Sequence, residues 1–439
     1  MGRLSRWVAV VALAAGASLA AMPAPTAAFS GFGPTSADAV YGGDLTFTVE
    51  LPGGPPERLE LLLRFGDAEE TFVASVAADG ERASFAWDTA QQHVTPNTEV
   101  HYRWRAYDGA EVALSPERSI LHDDDRPGLD WHSERIGDAT VHWYGGAEAQ
   151  ARRFGDLSAQ GAQRAEDLLG HQLAGPIDIF VYDAQDEFFG ALGPGAREWT
   201  GAATFPALRT IFMWLRGGPA DYLDTAIVHE ATHVVFHDAT DNPFHAPAAW
   251  LNEGVATWSE AESAAAERAT VEFEASGGGL FAFDAITDQF PIGSRGSSLS
   301  YAQGATMVEM IIDAHGRDAM AAMAAAYRDG ASDAEALEEG TGQPADELYA
   351  DFYAAFGVDP PQPVEPALIL PSDVDKPGQP APGEEEPASP APSAVAADGD
   401  PAAGDVQLLI LGIVAVLVIG TVAGLWYAAR RNRARVIDA

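Results

Sequence analysis

The residues with the clearest capacity for chemistry lie in the middle of the chain. His229-Glu230-Ala231-Thr232-His233 is followed, after nineteen intervening residues, by Glu253 within Trp250-Leu251-Asn252-Glu253-Gly254. Two histidines four apart project from one face of a helix, so their imidazoles can meet a single metal ion. Glu253 closes the set as a third ligand, and a tetrahedral zinc ion held this way keeps its fourth position for water. Such a water loses a proton near neutral pH, and Glu230 stands within reach to take that proton and pass it to a leaving amine. This is hydrolysis by direct attack of water, without an acyl-enzyme.

The elements that must position these groups can be read around them. No Pro or Gly interrupts residues 221–242, and Leu223, Ala226, Ile227, Val228, Val234, Val235 and Phe236 are apolar enough to bury a helix there, with Asp224 suited to its N-cap. Pro247 opens a second helical run, residues 248–268, that carries Glu253 in its first turns. Asn252, Thr257 and Glu260 lie on that helix and are candidates to orient a ligand histidine, with a plain polar helix face as the default reading. His237 and His245 read as surface histidines. A glycine three residues past the second histidine and a histidine three further on would mark another kind of zinc site, but Phe236 and Ala239 occupy those positions.

The two-part pattern resembles the gluzincins, a group of zinc metallopeptidases, and residues 250–254 are similar to the zinc-aminopeptidase branch of that group. Ser300-Tyr301-Ala302-Gln303-Gly304-Ala305 resembles the segment in which that branch places its transition-state tyrosine. The resemblance implies a peptidase MA-like α+β domain over residues 126–358. It implies one zinc ion on His229, His233 and Glu253, Glu230 as general base, and Tyr301 as donor to the oxyanion; a core tyrosine is the alternative for Tyr301. It also implies that residues 203–215, which contain a strand at 210–215, run along the cleft and pair with an extended substrate backbone. Two departures stand out: His233 and Glu253 are one residue further apart than in the aminopeptidases, and no Gly-x-Met-Glu-Asn sequence is present. That motif supplies the glutamate that grips a free N-terminus, so endopeptidase action is the expected reaction, with an aminopeptidase or a non-catalytic surface binding or sensor protein on a peptidase fold as alternatives.

Both ends of the chain address the location of this chemistry. Residues 1–28 place Arg3 and Arg6 before an apolar run and small residues, the layout of a secretory signal peptide. Residues 406–427 contain no charge and are long enough to cross a bilayer, and Arg430, Arg431, Arg433 and Arg435 follow in a tail, residues 428–439, expected to stay in the cytoplasm. The expected localisation is the cell membrane, with a single pass and the catalytic region outside. The linker before the span, residues 359–405, is too rich in Pro, Ala, Glu and Asp to form a core and is read as disordered; it could extend on the order of 100 Å. A formal charge of −40 argues against a nucleic-acid partner; the resemblance implies a peptide or protein as substrate, and residues 406–427 add the membrane as an expected partner. With no cysteine, the fold rests on core burial alone. The oligomeric state is not legible.

Residues 29–125 alternate as strands do. Leu45, Phe47, Val49 and Leu51 share one face, as do Leu59, Leu61, Leu63 and Phe65, and Val100, Tyr102 and Trp104, with Gly-Pro and Asp-Gly turns between them. An all-β sandwich is expected, and residues 96–104 are similar to fibronectin type III or immunoglobulin-like modules. After it, strands at 141–144 and 177–182 flank a helix at 147–173, and beyond Tyr301 the chain is mostly helical. Residues 277–296, which begin with three glycines, form a loop region bordering the cleft. The whole is a multidomain chain: β-sandwich, gluzincin-type α+β domain, linker and one C-terminal span.

Overall fold

The computed structural model describes residues 29–66, 71–193, 201–291 and 294–361. The expected signal peptide, nearly all of the linker, the span and the basic tail lie outside these residues. Among the described residues no helix is long and apolar enough to cross a membrane.

The N-terminal region is built from strands β1 (Thr35–Asp38), β2 (Leu45–Glu50), β3 (Arg58–Phe65), β4 (Phe72–Val76), β5 (Ala78–Asp79), β6 (Arg82–Trp87), β7 (Thr98–Asp108), β8 (Glu111–Leu114) and β9 (Arg118–His122). They pair antiparallel in two sheets, β1-β2-β6-β5 and β4-β3-β7-β8, with β9 also on β7. The alternating residues explain this pairing. Phe47 and Val49 of one sheet, and Leu61, Leu63, Val100, Tyr102 and Trp104 of the other, all enter a single core, each at most 4% exposed. Burying side chains of this size contributes roughly 1.5–3 kcal/mol apiece, which stands in for the absent disulfides.

The second region opens with β10 (His132–Ile136), β11 (Ala139–Trp143), α1 (Glu148–Leu169), β12 (Ile177–Tyr182), α2 (Gln185–Leu192), β13 (Ala202–Phe205) and β14 (Thr210–Trp214). The sheet order is β10-β11-β12-β14-β13: β11, β12 and β14 are parallel, and the two edge strands run antiparallel to their neighbours. Strand β14 therefore has a partner on both sides, whereas β13, like β10 at the far end, lies at an edge of the sheet among the described residues. The expected substrate-pairing stretch at 203–215 is corrected in this respect: its first residues form the edge, and its last residues are enclosed by β12 and β13.

Helices complete the region: α3 (Ala220–Thr240), α4 (Ala249–Ala261), α5 (Ala265–Ser276), α6 (Ser294–His315), α7 (Arg317–Arg328), α8 (Asp333–Thr341) and α9 (Ala345–Ala355). They bury one face of the sheet in a core that includes Val141, Ile179, Ile211, Ile227, Trp250 and Phe352. Two details of the helices differ from expectation. Asp224 does not cap α3, which begins after Pro219; it sits in the second turn and takes a bidentate ion pair from Arg153, at 2.7 and 2.5 Å. The helix expected over 248–268 is split, because Glu262 adopts a left-handed backbone, φ 53°, and its N–H caps the Trp258 carbonyl.

The two regions meet around Asp124, which is fully buried. Arg126 donates to it through Nε at 2.7 Å and Nη2 at 2.5 Å, and the Tyr182 hydroxyl donates at 2.9 Å. The Arg126 guanidinium also lies 4.3 Å from the ring centre of Tyr41, and its Nη2 donates to the Glu187 carbonyl in α2. Strand edges, helix ends and a charged side chain thus lock the β-region onto the sheet that leads into β13.

Candidate active site

Helix α3 buries nearly its whole circumference, and this puts His229, Glu230 and His233 inside the molecule at 2%, 2% and 1% exposure. Helix α4 crosses it and brings in Glu253, 5% exposed. Helix α6 packs on α4 through two glycines: a Cβ on Gly254 would lie 2.5 Å from the Gly304 carbonyl carbon, and one on Gly304 would strike the Trp250 carbonyl oxygen. This contact of backbones carries Tyr301, one turn before Gly304, to the site.

One ligand atom each from His229, His233 and Glu253 lies within 4.8 Å of the others. Glu253 Oε2 is 3.3 Å from His229 Nε2 and 3.4 Å from His233 Nε2. The outer nitrogens are anchored. His229 Nδ1 bonds Glu260 Oε1 at 2.8 Å, and His233 Nδ1 donates to Asn252 Oδ1 at 2.9 Å. Both inner nitrogens are thereby turned toward the same point. His233 Nε2 is buried with no hydrogen-bond partner, an expensive state for a polar atom unless a ligand occupies it. Burial pushes the pKa of His229 down, but its bonds to Glu253 and Glu260 win and raise it to about 10. The pocket therefore calls for positive charge between imidazole and carboxylate, and two nitrogens and one carboxylate oxygen are a donor set that zinc accepts. The residues fit a zinc ion.

Glu230 is held from the sheet side. The Thr204 hydroxyl on β13 donates to Glu230 Oε2 at 2.5 Å. Burial raises the carboxyl's pKa, and the two histidines and the Thr204 bond pull it back in part. The Glu253 carboxyl shifts the other way, because the two imidazoles overcome the cost of burial. Tyr301 stands with its ring centre 6.3 Å from that of His229 and 5.0 Å from that of Phe290, which comes from the loop before α6. Burial, then the charges of Glu253, Glu230 and Glu260, raise the Tyr301 pKa well above its ordinary value, so the phenol keeps its proton.

All five residues singled out by spacing and resemblance, His229, Glu230, His233, Glu253 and Tyr301, are brought together here. Asn252 and Glu260, whose default was a polar helix face, contact the two histidines directly, whereas Thr257 makes no such contact. Thr204 was missed. It lies 26 residues from Glu230 on a four-residue strand, and no local pattern marks it.

Residues 158–355 match the family model described as Peptidase MA superfamily. Among solved structures, an M1 zinc metallopeptidase from Deinococcus radiodurans aligns at 12% identity and a TM-score of 0.34, covering 73% of this chain and 90% of that one. A mutant form of that protein aligns at 12% identity and a TM-score of 0.33, over 77% of this chain and 93% of that one. The structure titled a Br derivative of BhCBM56 aligns at 4% identity and a TM-score of 0.17, over 20% of this chain and 88% of that one. A search of curated proteins finds no match.

Proposed function

We propose that the chain is a zinc-dependent peptidase that cuts within peptides or proteins, with His229, His233 and Glu253 holding one zinc ion. The observation that carries this reading is the meeting of those three side chains within 4.8 Å, with the Glu230 carboxylate beside them. When bound, zinc supplies a Lewis acid that makes water nucleophilic near neutral pH. Glu230 is the general base. Its Oε2 is fixed by Thr204, which leaves the second oxygen to accept the proton of the attacking water and return it to the leaving nitrogen. Tyr301, protonated and facing His229, donates to the oxyanion of the tetrahedral intermediate. The free edge of β13 pairs with the substrate main chain, which suits a site that takes an extended peptide.

The proposal places this domain outside the cell, behind a fibronectin- or immunoglobulin-like β-module and tethered by residues 406–427. The arginines beyond that run and the signal-like residues 1–28 support the placement.

The test takes residues 29–405 and the same protein with Glu230→Gln. Zinc content and cleavage of a mixed peptide library, read by mass spectrometry, are compared. About one zinc in each protein, with cleavage only by the wild type, is the expected result. Zinc without cleavage would move the reading to a binding role, and the absence of zinc from both proteins would sink the metal site. Release of N-terminal residues only, lost on N-acetylation, would make the protein an aminopeptidase.

A further inference from the structure

Strand β13 is fixed at one point, beside its start, to the turn that leads into helix α3, and at a second to α3 itself. At the first, the backbones of Gly201 and Gly217 touch: a Cβ on Gly217 would fall 2.6 Å from the Gly201 Cα. At the second, three residues further along the strand, Thr204 bonds Glu230. Tyr222 lies on α3 between these points. At 3.6 residues per turn it shares a stripe with Ala226, His229 and His233.

The ring of Tyr222 lies over Gly218, where a Cβ would overlap it, and is partly buried against the main core. No hydrogen bond engages its hydroxyl among the described residues, although the ring is fixed and the group stands in an acidic environment. Burial, then the charges of Glu230 and Glu260, hold the proton on this phenol, which makes it a donor. A rigid donor with no acceptor among the described residues, near the edge strand that holds Glu230, is placed to serve a ligand.

We propose that Tyr222 is a substrate-positioning residue: its hydroxyl donates to a main-chain carbonyl of the peptide paired along β13, to one side of the bond that is cut. Eight residues of helix separate the Cα atoms of Tyr222 and Glu230, roughly 12 Å along the axis, a backbone span matched by roughly three to four residues of extended chain. The contact therefore requires a peptide that continues well past the scissile bond and is unavailable to a short one. The inference rests on the peptidase reading, since it concerns the substrate of that site.

The test uses the full-length protein in detergent, zinc-loaded and carrying Glu230→Gln, so that bound peptide stays whole. A peptide recovered from the library by its retention on this protein is titrated calorimetrically, with and without Tyr222→Phe. It is then truncated from each end. The substitution is expected to weaken binding of the long peptide by about 3- to 10-fold, the effect of one lost hydrogen bond. Zinc content and Tm should be unchanged, and the effect should vanish when the peptide is shortened on one side only. Equal affinity with and without the hydroxyl, an equal loss for long and short peptides, or no peptide retained at all would overturn the proposal. Because the readout is binding, it stands even if the wild-type protein cleaves nothing, which is the separate failure of the peptidase reading. Where cleavage is seen, Tyr222→Phe should raise KM and leave kcat within about 2-fold.

Discussion

The Thr204 hydroxyl and the Glu230 carboxylate are 2.5 Å apart, a contact between an edge strand and the central helix that ties the proposed base to the surface where a substrate would lie. Thr204 is 6% exposed, so no water replaces its hydroxyl easily. In Thr204→Val the shape is kept and the bond is lost. A hydrogen bond to a charged group is worth about 1.5–3 kcal/mol, so kcat should fall by roughly 10- to 100-fold. Zinc content should stay near one per chain, because Thr204 touches none of the three candidate ligands. Steady-state kinetics with a metal assay on the same samples checks both statements, and an unchanged kcat would show that Glu230 needs no such restraint.

The contrast between Thr204 and its partner shows what the sequence can carry. His229, Glu230 and His233 are legible because one helix fixes their spacing, and Glu253 follows because a short connection leads to the next helix. Tyr301 was reached through resemblance alone. A contact between a strand and a helix 26 residues apart leaves no local trace, which is why Thr204 was not read. The β-region was more open to reading, since alternation between core and surface survives along β2 and β7, although β3 buries five residues in a row. The split between α4 and α5 turns on one left-handed glutamate, and glutamate announces no such backbone.

Asn252 and Glu260 each hold one histidine by its outer nitrogen, at 2.9 and 2.8 Å. Loss of a partner of this kind weakens metal binding by about 10- to 100-fold in comparable sites. Asn252→Ala and Glu260→Ala should each loosen zinc by that order in competition with a chelator, while the protein still folds with zinc in excess. If both variants bind zinc as tightly as the wild type, the imidazoles are oriented by packing alone.

The sequence motifs around Glu253 and Tyr301 each contain a glycine, and the structure gives both the same reason. Gly254 and Gly304 let α4 and α6 touch backbone to backbone, with no room for a methyl group on either. Gly304→Ala must push the helices apart or tilt them, a strain of about 1–3 kcal/mol that should lower Tm. Because Tyr301 rides on the same helix, activity per folded molecule should fall as well. Tyr301→Phe provides the comparison: it should lose activity with little change in Tm. A Gly304→Ala protein of unaltered Tm would mean that the crossing is looser than the glycines require.

The junction between the β-region and the sheet region should respond to acid through His122. This imidazole is 3% exposed, its Nδ1 has no hydrogen-bond partner, and with Tyr41, His93 and Phe189 it lines a cavity of about 300 Å³. Burial lowers its pKa, the neighbouring His93 lowers it further, and Asp124, Asp125 and Asp123 oppose the shift. The His93 pKa is lowered as well, by burial, against the effect of its bond to the Ala191 carbonyl on α2. The unfolded chain takes up protons at these histidines from about pH 6.5 downward, before the folded one does, so the unfolded state binds more protons and stability falls as pH falls through that range. Between pH 7.5 and 5.5 the Tm of wild type should therefore drop more than that of His122→Gln, which cannot titrate. Zinc loss in acid is common to both proteins and cancels in the difference. Parallel Tm curves for the two proteins would show that His122 protonates as readily in the folded chain as in the unfolded one.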